Sequence, residues 1–578
     1  MTKKYSIDKI KFFFTNPELS KYNLLSITER KLIYAFCKKS VENNSGNVEK
    51  AKTIIELINK ATIKLRDYQQ AITNFMADDP NNKEHNDTLL VIHGTGCGKT
   101  VTGIQVLKNF LKQYPKRKVI IACPTKVINH WKNTLSKMNV YPELLTTEKQ
   151  RKEQKYNKIS ILSHANYKTA LEYGKENICY KNLVILDEVH NLKKSRDVKN
   201  KDTDEIIWKG GKGYDRTMRC VKKARKLLLL SATPFMNSLK DFEAYIDYLY
   251  KSDVDIPINS LYSGKLIDMT EEELEDNLNT ISPYLRDKIH YINCKELIPE
   301  RFPTYTEKYQ TINMTDDFFV TYEQVISGSI KLFENPEKFY IGYRMAVNSL
   351  KDNEDSDITT MKVKKTLKIW KELLAKKSNR KECKSVIYTT WLKFGVDEIK
   401  NEIEKDIQGS NKKIRYGIIS GNESKNQVEK NIKDYNSDNL DLLIITKAGG
   451  EGIDLKGTRN IFILEPVWNP ASLDQIIGRG IRIDSHAHLP DEQRNVDIHY
   501  MVLIRPKSQC CSNDLIKGER NWLGKYCVHE ESGQTIENQK FTLGHIESGD
   551  VILYQNYIFP KRKILNILIK KFKDLSIS

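Results

Sequence analysis

Long apolar segments are missing from this chain of 578 residues. Its longest apolar runs, such as the one that ends at Leu230, are far shorter than the ~18–20 residues that cross a bilayer. The N-terminal cluster Phe12–Phe14 is also too short for the apolar core of a secretory signal. We therefore expect no membrane segment and a cytoplasmic location.

Cysteine pairs and low-complexity segments are missing too. The ten cysteines are scattered between Cys37 and Cys527, and no two of them form a C-x-x-C pair. Reduced thiols of an intracellular protein are therefore expected, rather than a disulfide framework or a standard zinc site. With only 27 glycines and 16 prolines, a collagen-like chain is excluded, and no repeat of 20–50 residues indicates a solenoid.

The composition is that of a globular protein with an excess of positive charge. Hydrophobic residues make up 39% of the chain, enough for several cores, and its length predicts about three to five structural units. Lys and Arg number 94 against 75 Asp and Glu, so the net charge is 94 − 75 = +19. Such an excess favours a polyanionic partner such as nucleic acid, although general solubility is the simpler explanation.

Short apolar runs, typical of buried strands, occur in two groups separated by a different kind of sequence. The first group comprises Leu89–Ile92, Val119–Ala122, Ile159–Leu162, Leu183–Leu186 and Leu227–Leu230. The second comprises Ser385–Tyr388, Tyr416–Ile419, Leu442–Thr446, Ile461–Leu464 and His499–Ile504. Because amphipathic stretches alternate with these runs, the sequence predicts two parallel sheets covered by helices, an α/β fold.

Five regions follow from this reading. They are a helical N-terminal extension (1–60), a first α/β domain (61–250), a mostly helical insert or linker (251–380), a second α/β domain (381–505) and a C-terminal extension (506–578).

A glycine-rich loop follows the first predicted strand. It consists of Gly94, Thr95, Gly96, Cys97, Gly98, Lys99 and Thr100. Glycines let successive backbone N–H groups point at one anion at a helix N-terminus. Lys99 would then reach the β- and γ-phosphates of a nucleotide, and the Thr100 hydroxyl would bind Mg²⁺. The strict phosphate-loop pattern fails at one position, where it requires glycine and the chain has His93; an ordinary glycine-rich turn is the alternative.

Two adjacent acidic residues follow the strand Leu183–Leu186. Ligands bind beyond the carboxyl ends of strands in parallel sheets, so Asp187 is a candidate for holding Mg²⁺. Glu188 is a candidate general base that deprotonates the attacking water. A solvated acidic loop is the alternative, and the phosphate loop upstream argues against it.

These motifs together resemble the superfamily 2 helicase-type ATPases of the DExH class. The carrying residues are the GTGCGKT loop, the DEVH sequence at 187–190 and Ser231–Pro234. Further matches, in the order of the family, are Leu65–Gln69, Ala122–Thr125 with Trp131 nearby, Ser163–His164, Ser385–Thr390, Thr446–Leu455 and Gln475–Arg482. The resemblance covers roughly residues 60–505 and implies two RecA-like domains with ATP in the cleft between them.

The resemblance also implies roles for single residues. Arg479 and Arg482, at helical spacing and therefore expected on one face, would act as arginine fingers. The residues implied to contact the nucleotide are Gln69 at the adenine, Asp454 and Gln475. The residues implied to couple nucleotide state to nucleic acid are His190, Ser231, Thr233 and Gly452. ATP and Mg²⁺ are the expected cofactors.

Positive charge is concentrated between the two motifs of the first domain. The stretch Lys193–Lys226 holds 13 Lys and Arg against five Asp and Glu, a net of 13 − 5 = +8. It is a candidate contact for nucleic-acid phosphates, with a solvated loop as the alternative. The basic C-terminal end is a second, weaker candidate.

Within the superfamily, the wording of the motifs resembles three kinds of protein. These are the poxvirus early transcription factor small subunit, poxvirus nucleoside triphosphate phosphohydrolase I and helicases of yeast cytoplasmic linear plasmids. The resemblance implies a nucleic-acid-dependent ATPase that acts on DNA with a virus- or plasmid-encoded RNA polymerase. An ATP-dependent RNA helicase is the enzymatic alternative, and a promoter-binding or polymerase-docking subunit with a vestigial motor is an alternative of another class.

Overall fold

The computed structural model describes most of the chain. It covers residues 2–577 except 24, 61–62, 79–85, 142–157, 174–177, 193–196, 200–205, 209–211, 233–238, 240, 255, 257–268, 328–340, 351–360, 377–379, 410–413, 447–452, 468–469 and 507–547.

The chain divides into two compact units. The first consists of Met1–Lys265, Glu272–Ile292 and Lys570–Ser578. The second consists of Leu266–Glu271 and Asn293–Ile569. Each unit contains one of the two predicted sheets.

A six-stranded parallel sheet of order β3-β2-β4-β7-β1-β8 forms the centre of the first unit. Its strands are β1 (Thr88–His93), β2 (Val119–Cys123), β3 (Ile159–Ser163), β4 (Leu183–Asp187), β7 (Lys226–Ser231) and β8 (Ile289–Ile292). A separate antiparallel pair consists of β5 (Asp197–Lys199) and β6 (Ile206–Trp208). Every residue of β1, β4 and β7 is buried, which is why these strands read as unbroken apolar runs.

Helices surround this sheet and precede it. They are α1 (Thr2–Thr15), α2 (Leu19–Asn23), α3 (Ile27–Glu42), α4 (Val48–Lys60), α5 (Asp67–Phe75), α6 (Lys99–Gln113), α7 (Ile128–Lys137), α8 (His164–Tyr173), α9 (Lys212–Val221), α10 (Asp241–Tyr250) and α11 (Glu271–Leu285). The first four pack around a core of their own that includes Phe13, Tyr22 and Ile54. A hydrogen bond from the Tyr22 hydroxyl to Asn139 Oδ1 (3.0 Å) attaches this bundle to the segment that follows α7.

The second unit contains a parallel sheet of order β11-β12-β10-β13-β14-β9. Its strands are β9 (Thr304–Asn313), β10 (Ser385–Tyr388), β11 (Tyr416–Ile419), β12 (Leu442–Ile445), β13 (Asn460–Ile463) and β14 (Asn495–Ile504). Its helices are α12 (Cys294–Leu297), α13 (Asp316–Ile326), α14 (Ile341–Ala346), α15 (Met361–Lys376), α16 (Glu398–Gly409), α17 (Lys425–Asn436), α18 (Pro470–Gly480), α19 (Gly549–Leu553) and α20 (Phe559–Leu575), the last with residues 559–569 in this unit.

The two parallel sheets confirm the predicted α/β class with two RecA-like domains. Each sheet nevertheless ends in a strand that was not predicted from the sequence. β8 pairs with β1, and β9 pairs with β14 along its full length of ten residues. Both strands come from region 251–380, so this otherwise largely helical region completes both sheets.

One prediction about the cysteines is wrong. Cys179 and Cys220 form a disulfide, with 5.3 Å between their Cα atoms, where reduced thiols were expected. The two residues are 41 positions apart, and each precedes one of two neighbouring strands, β4 and β7. Pairing of those strands brings the cysteines together, a proximity that their spacing in the sequence does not reveal.

None of the helices in the described part of the chain is both long and apolar enough to cross a membrane.

Candidate functional site

The phosphate loop lies between β1 and α6. Its backbone turns through the left-handed region at two glycines, Gly96 (φ +88°) and Gly98 (φ +74°), where other residues are strained. A Cβ atom on Gly98 would also lie 2.8 Å from Gln69 Nε2. The helix that begins at Lys99 therefore has its N-terminal N–H groups next to the loop, the arrangement that binds phosphate.

Helix α5 holds the loop in place through two side chains. The Tyr68 hydroxyl donates to the Cys97 carbonyl (2.8 Å), and Gln69 Nε2 donates to the Gly98 carbonyl (3.4 Å). Gln69 Oε1 accepts from the backbone N–H of Arg66 (3.1 Å). The residue predicted to read adenine thus supports the phosphate loop in this structure, and its contact with a base stays a prediction.

The residue that departs from the strict loop pattern, His93, is fully buried. Its Nε2 lies 2.9 Å from Nδ1 of His290 on β8, and its carbonyl accepts a hydrogen bond from Lys99 Nζ (3.0 Å). Burial lowers the pKa of His93 well below its ordinary value, and the facing His290 and Lys99 lower it further. Burial also lowers the pKa of His290 to about 4. The histidine that replaces glycine therefore belongs to a neutral pair beneath the loop.

Asp187 ends β4 with both carboxylate oxygens bonded. Trp131 Nε1 donates to Oδ2 (2.8 Å), and the backbone N–H of Glu188 donates to Oδ1 (3.0 Å). His164, which belongs to the matched segment Ser163–His164, has its Nε2 2.9 Å from the Asp187 carbonyl. Burial raises the pKa of Asp187 to about 6, and the Glu188 charge adds to the shift, while Trp131 and the Lys99 ammonium oppose it. Both β1, which leads into the phosphate loop, and β4, which ends at Asp187, pair in parallel with β7, so the loop and Asp187 lie at the same edge of the sheet.

Glu188 and His190 connect this strand to the next one, β7. His190 Nδ1 lies 3.4 Å from Glu188 Oε2 and 3.4 Å from Ser231 Oγ. The Asn191 amide donates to His190 Nε2 (3.2 Å), which assigns the imidazole proton to Nδ1. His190 therefore lies beside the candidate general base and within hydrogen-bond distance of Ser231, and its coupling role stays a prediction.

The donor set fits Mg²⁺. Thr100 and Asp187 supply a hydroxyl and a carboxylate, both buried, and Mg²⁺ prefers such oxygen ligands. A cation would also stabilise the ionised form of Asp187, which burial disfavours.

The candidate arginines of the second unit lie beside the motif at 453–455. Arg482 Nη1 donates to the Ile453 carbonyl (3.3 Å) and lies 3.7 Å from Asp454 Oδ1. The Arg479 carbonyl accepts from the backbone N–H of Leu455 (3.2 Å).

The expectation that both arginines share a helical face is wrong. Helix α18 ends at Gly480, so Arg482 lies in the turn after it. Ser485 stabilises that turn by accepting from the Arg482 backbone N–H (3.2 Å). A Cβ on Gly480 would approach Ile461 and Thr458 within 3.1–3.2 Å, so the helix end packs closely against β13.

Most of the predicted site residues are among those that the structure describes. The first unit contains Gln69, Gly94, Thr95, Gly96, Cys97, Gly98, Lys99, Thr100, Asp187, Glu188, His190 and Ser231; the second contains Asp454, Gln475, Arg479 and Arg482. Thr233 and Gly452 lie outside the described residues. The assigned roles stay predictions.

Part of the basic stretch Lys193–Lys226 has internal partners. Arg216 pairs with Glu172, Lys222 with Asp253, and both Arg225 and Lys226 with Asp78. Much of the preceding segment, including 193–196 and 200–205, lies outside the described residues. At the basic C-terminal end, Arg562 pairs with Glu307 and Lys563 with Glu271.

Three residues with clear contacts to the site had no role assigned from the sequence. Trp131 lies near a recognised motif, which was the only signal for it. His290 and Asn191 carried none, because their partners are known only once β8 and the turn after β4 are in place.

Two regions match described protein families. Residues 62–236 match "Type III restriction enzyme, res subunit", and residues 365–484 match "Helicase conserved C-terminal domain".

Viral proteins are similar over most of the chain. "Putative ATP-dependent RNA helicase L538" of Acanthamoeba polyphaga mimivirus is 25% identical over 77% of this chain and 90% of its own length. "Nucleoside triphosphatase I" of Choristoneura biennis entomopoxvirus is 25% identical over 82% of this chain and 78% of its own. The Amsacta moorei entomopoxvirus protein of the same name is 24% identical over 89% and 85%.

Two solved structures are also similar. The Sulfolobus solfataricus SWI2/SNF2 ATPase core with double-stranded DNA is 20% identical, with 77% of this chain and 89% of that chain covered and a TM-score of 0.33. The Pyrococcus furiosus Hef helicase domain is 14% identical, with 76% and 95% covered and a TM-score of 0.42. The fold assignment rests on the two sheets and not on these scores.

Proposed function

Since this chain is a superfamily 2 helicase-type ATPase that hydrolyses ATP, we propose that it is a nucleic-acid-stimulated translocase acting on DNA in viral or plasmid transcription. The observation that carries the catalytic part is the arrangement of Lys99, Asp187 and Glu188 at the carboxyl ends of β1 and β4. Similarity to nucleoside triphosphatase I over most of the chain supports the remainder. The viral source of these relatives supports a role in the host cytoplasm.

The chain's own residues supply the steps of hydrolysis. Backbone N–H groups of the phosphate loop and Lys99 bind the β- and γ-phosphates. Glu188 accepts a proton from the water that attacks the γ-phosphorus, and the bond to the β-phosphate oxygen breaks to give ADP and phosphate. Arg479 and Arg482 supply positive charge to the transferring phosphoryl group.

Thr100 and Asp187 would hold Mg²⁺. The ion, when bound, neutralises phosphate charge. Gln69, Asp454 and Gln475 are proposed to contact the nucleotide, while Ser231, Thr233, His190 and Gly452 are proposed to transmit its state.

An ATP-dependent RNA helicase is the second candidate. The similarity to the mimivirus protein, whose name specifies an RNA helicase, favours it. A binding subunit with a vestigial motor is the third, and the retained Lys99, Asp187 and Glu188 argue against it.

The deciding experiment compares the ATPase rate of the purified chain with single-stranded DNA, duplex DNA and RNA of equal length. We expect DNA to stimulate hydrolysis more than RNA does. Greater stimulation by RNA, together with unwinding of a tailed RNA duplex, would support the helicase alternative. An ATPase rate that no nucleic acid changes would contradict both the translocase proposal and the RNA helicase alternative.

A polymerase partner is tested separately. The chain is mixed with the RNA polymerase encoded by its own genome, and co-elution is measured with and without DNA. We expect a complex, and its absence under both conditions would contradict the transcription role while leaving the ATPase assignment intact.

A further inference from the structure

We infer that Trp131 is a positioning residue for Mg²⁺: its indole N–H fixes the carboxylate of Asp187 in the orientation that the ion requires. The inference rests on the proposed role of Asp187 as a magnesium ligand. It concerns a residue that does not touch the nucleotide and acts only through Asp187.

The hydrogen bonds leave the carboxylate one orientation. Trp131 Nε1 donates to Oδ2 at 2.8 Å, and the Glu188 backbone N–H donates to Oδ1 at 3.0 Å. Two donors on opposite oxygens prevent rotation of the carboxylate about its Cβ–Cγ bond. Each oxygen keeps a second lone-pair direction for a metal or a metal-bound water. Second-shell donors of this kind orient ligands and tune metal affinity in other proteins.

The Trp131 ring fits between α7 and α6 because α6 has a glycine at the point of contact. Trp131 is completely buried in α7, with its ring against α6, the helix that begins at the phosphate loop. Gly103 of α6 makes room, since a Cβ there would lie 2.7 Å from Trp131 Cη2. A glycine inside a helix is unfavourable, so its presence beneath the indole indicates that the position of the ring matters.

A second buried tryptophan provides a control that distinguishes the hydrogen-bonding role of Trp131 from a packing role. Trp370 in α15 is equally inaccessible, but its Nε1 has no hydrogen-bond partner among the described residues. The two tryptophans therefore differ in the feature that the inference concerns, the bond to a carboxylate. Trp370→Phe is the matched control for loss of the indole.

The test measures nucleotide binding rather than turnover. A fluorescent non-hydrolysable ATP analogue is titrated into the full chain at increasing Mg²⁺ and in EDTA, for wild type, Trp131→Phe and Trp370→Phe. We expect Trp131→Phe to raise the half-saturating Mg²⁺ concentration about 10-fold or more, with affinity in EDTA unchanged. Trp370→Phe should behave as wild type.

A variant that keeps the shape of the ring separates loss of the hydrogen bond from misfolding. Incorporating 3-benzothienylalanine at position 131 replaces the N–H by sulfur and should reproduce the effect of Trp131→Phe. A wild-type Mg²⁺ dependence in this variant overturns the inference while leaving the proposed magnesium site standing. If the nucleotide affinity of the wild-type chain does not depend on Mg²⁺, both the inference about Trp131 and the proposed magnesium site are overturned.

Discussion

Glu188 has a backbone φ of +50°, in the left-handed region that residues other than glycine seldom adopt. Such a conformation costs on the order of 1–3 kcal/mol and persists where the surrounding structure enforces it. Here the Glu188 N–H donates to Asp187, and its carboxylate lies beside His190. The two successive acidic side chains on this strained turn therefore have different neighbours, Trp131 beside Asp187 and His190 beside Glu188.

Replacing Glu188 by Gln tests its role as the general base. The amide cannot accept the proton, so we expect Glu188→Gln to lower ATP turnover about 10²–10⁴-fold while nucleotide affinity changes little. Steady-state hydrolysis and equilibrium binding, measured on the same preparation, check this.

The matched control for that variant is Glu172→Gln in the same unit, whose side chain is exposed and pairs with Arg216. It should hydrolyse ATP at the wild-type rate. Full turnover by Glu188→Gln would assign the base to another residue.

At the scale of elements, the sequence predicted what is local and missed what is distant. The phosphate loop was predictable because its strand, glycines and helix start lie within residues 88–113. β8 was not, because Ile289–Ile292 is short and carries His290, and it is a strand only through pairing with β1. Likewise, the end of α18 depends on Ser485 and close packing at Gly480, which no spacing of arginines shows.

The buried pair of His93 and His290 makes stability depend on pH. Both pKa values are lower in the folded chain than the ordinary 6.5, so the unfolded chain binds more protons below pH 6.5. Their contribution is therefore complete above pH 6.5 and is lost as pH falls toward about 4. We expect His290→Asn to remove up to about 3 kcal/mol of this loss.

Urea unfolding between pH 4.5 and 8 measures the effect. Asn133→Ala, at an exposed position in α7 of the same unit, removes no titratable group and should keep the wild-type pH dependence. An unchanged acid slope in His290→Asn would show that this imidazole is not neutral in the folded chain.

The disulfide between Cys179 and Cys220 closes the segment that contains β4, the β5–β6 pair and all but the last residue of α9. Constraining an unfolded loop of this separation, 41 residues, stabilises a protein by up to about 4 kcal/mol. We expect dithiothreitol to lower the melting temperature of the wild type.

Without reductant, a Cys179→Ser, Cys220→Ser double variant should melt below the wild type. Because Cys97 and Cys294 are also disulfide-bonded, dithiothreitol should still lower its melting temperature, but by less than in the wild type. Quantitative alkylation of Cys179 and Cys220 in the native, unreduced chain would contradict the disulfide between them.

At the scale of the whole molecule, the chain combines two sheet-based units with a net charge of +19. We propose that three of those cations, Lys99, Arg479 and Arg482, bind ATP. Some of the positive charge is structural, as for Lys226, which is buried against Asp78. Total charge therefore overstates the number of cations that can contact nucleic acid.

The salt dependence of binding distinguishes these groups of cations. Each phosphate contact on duplex DNA contributes about −0.9 to the slope of log affinity against log salt concentration. Lys194 and Lys201, which lie outside the described residues, belong to the basic stretch. If both contact phosphates, Lys194→Gln with Lys201→Gln should make the slope less steep by about 2.

Arg216 and Lys222 provide the matched comparison, because both belong to the same stretch and already pair with carboxylates. Arg216→Gln with Lys222→Gln removes the same charge, yet we expect the slope to stay near the wild-type value. Fluorescence anisotropy of labelled duplex DNA between 50 and 300 mM salt, roughly the range over which such slopes are resolved, measures both. Equal slopes for the two double variants would show that total charge, and not the position of the cations within the basic stretch, determines how the chain binds DNA.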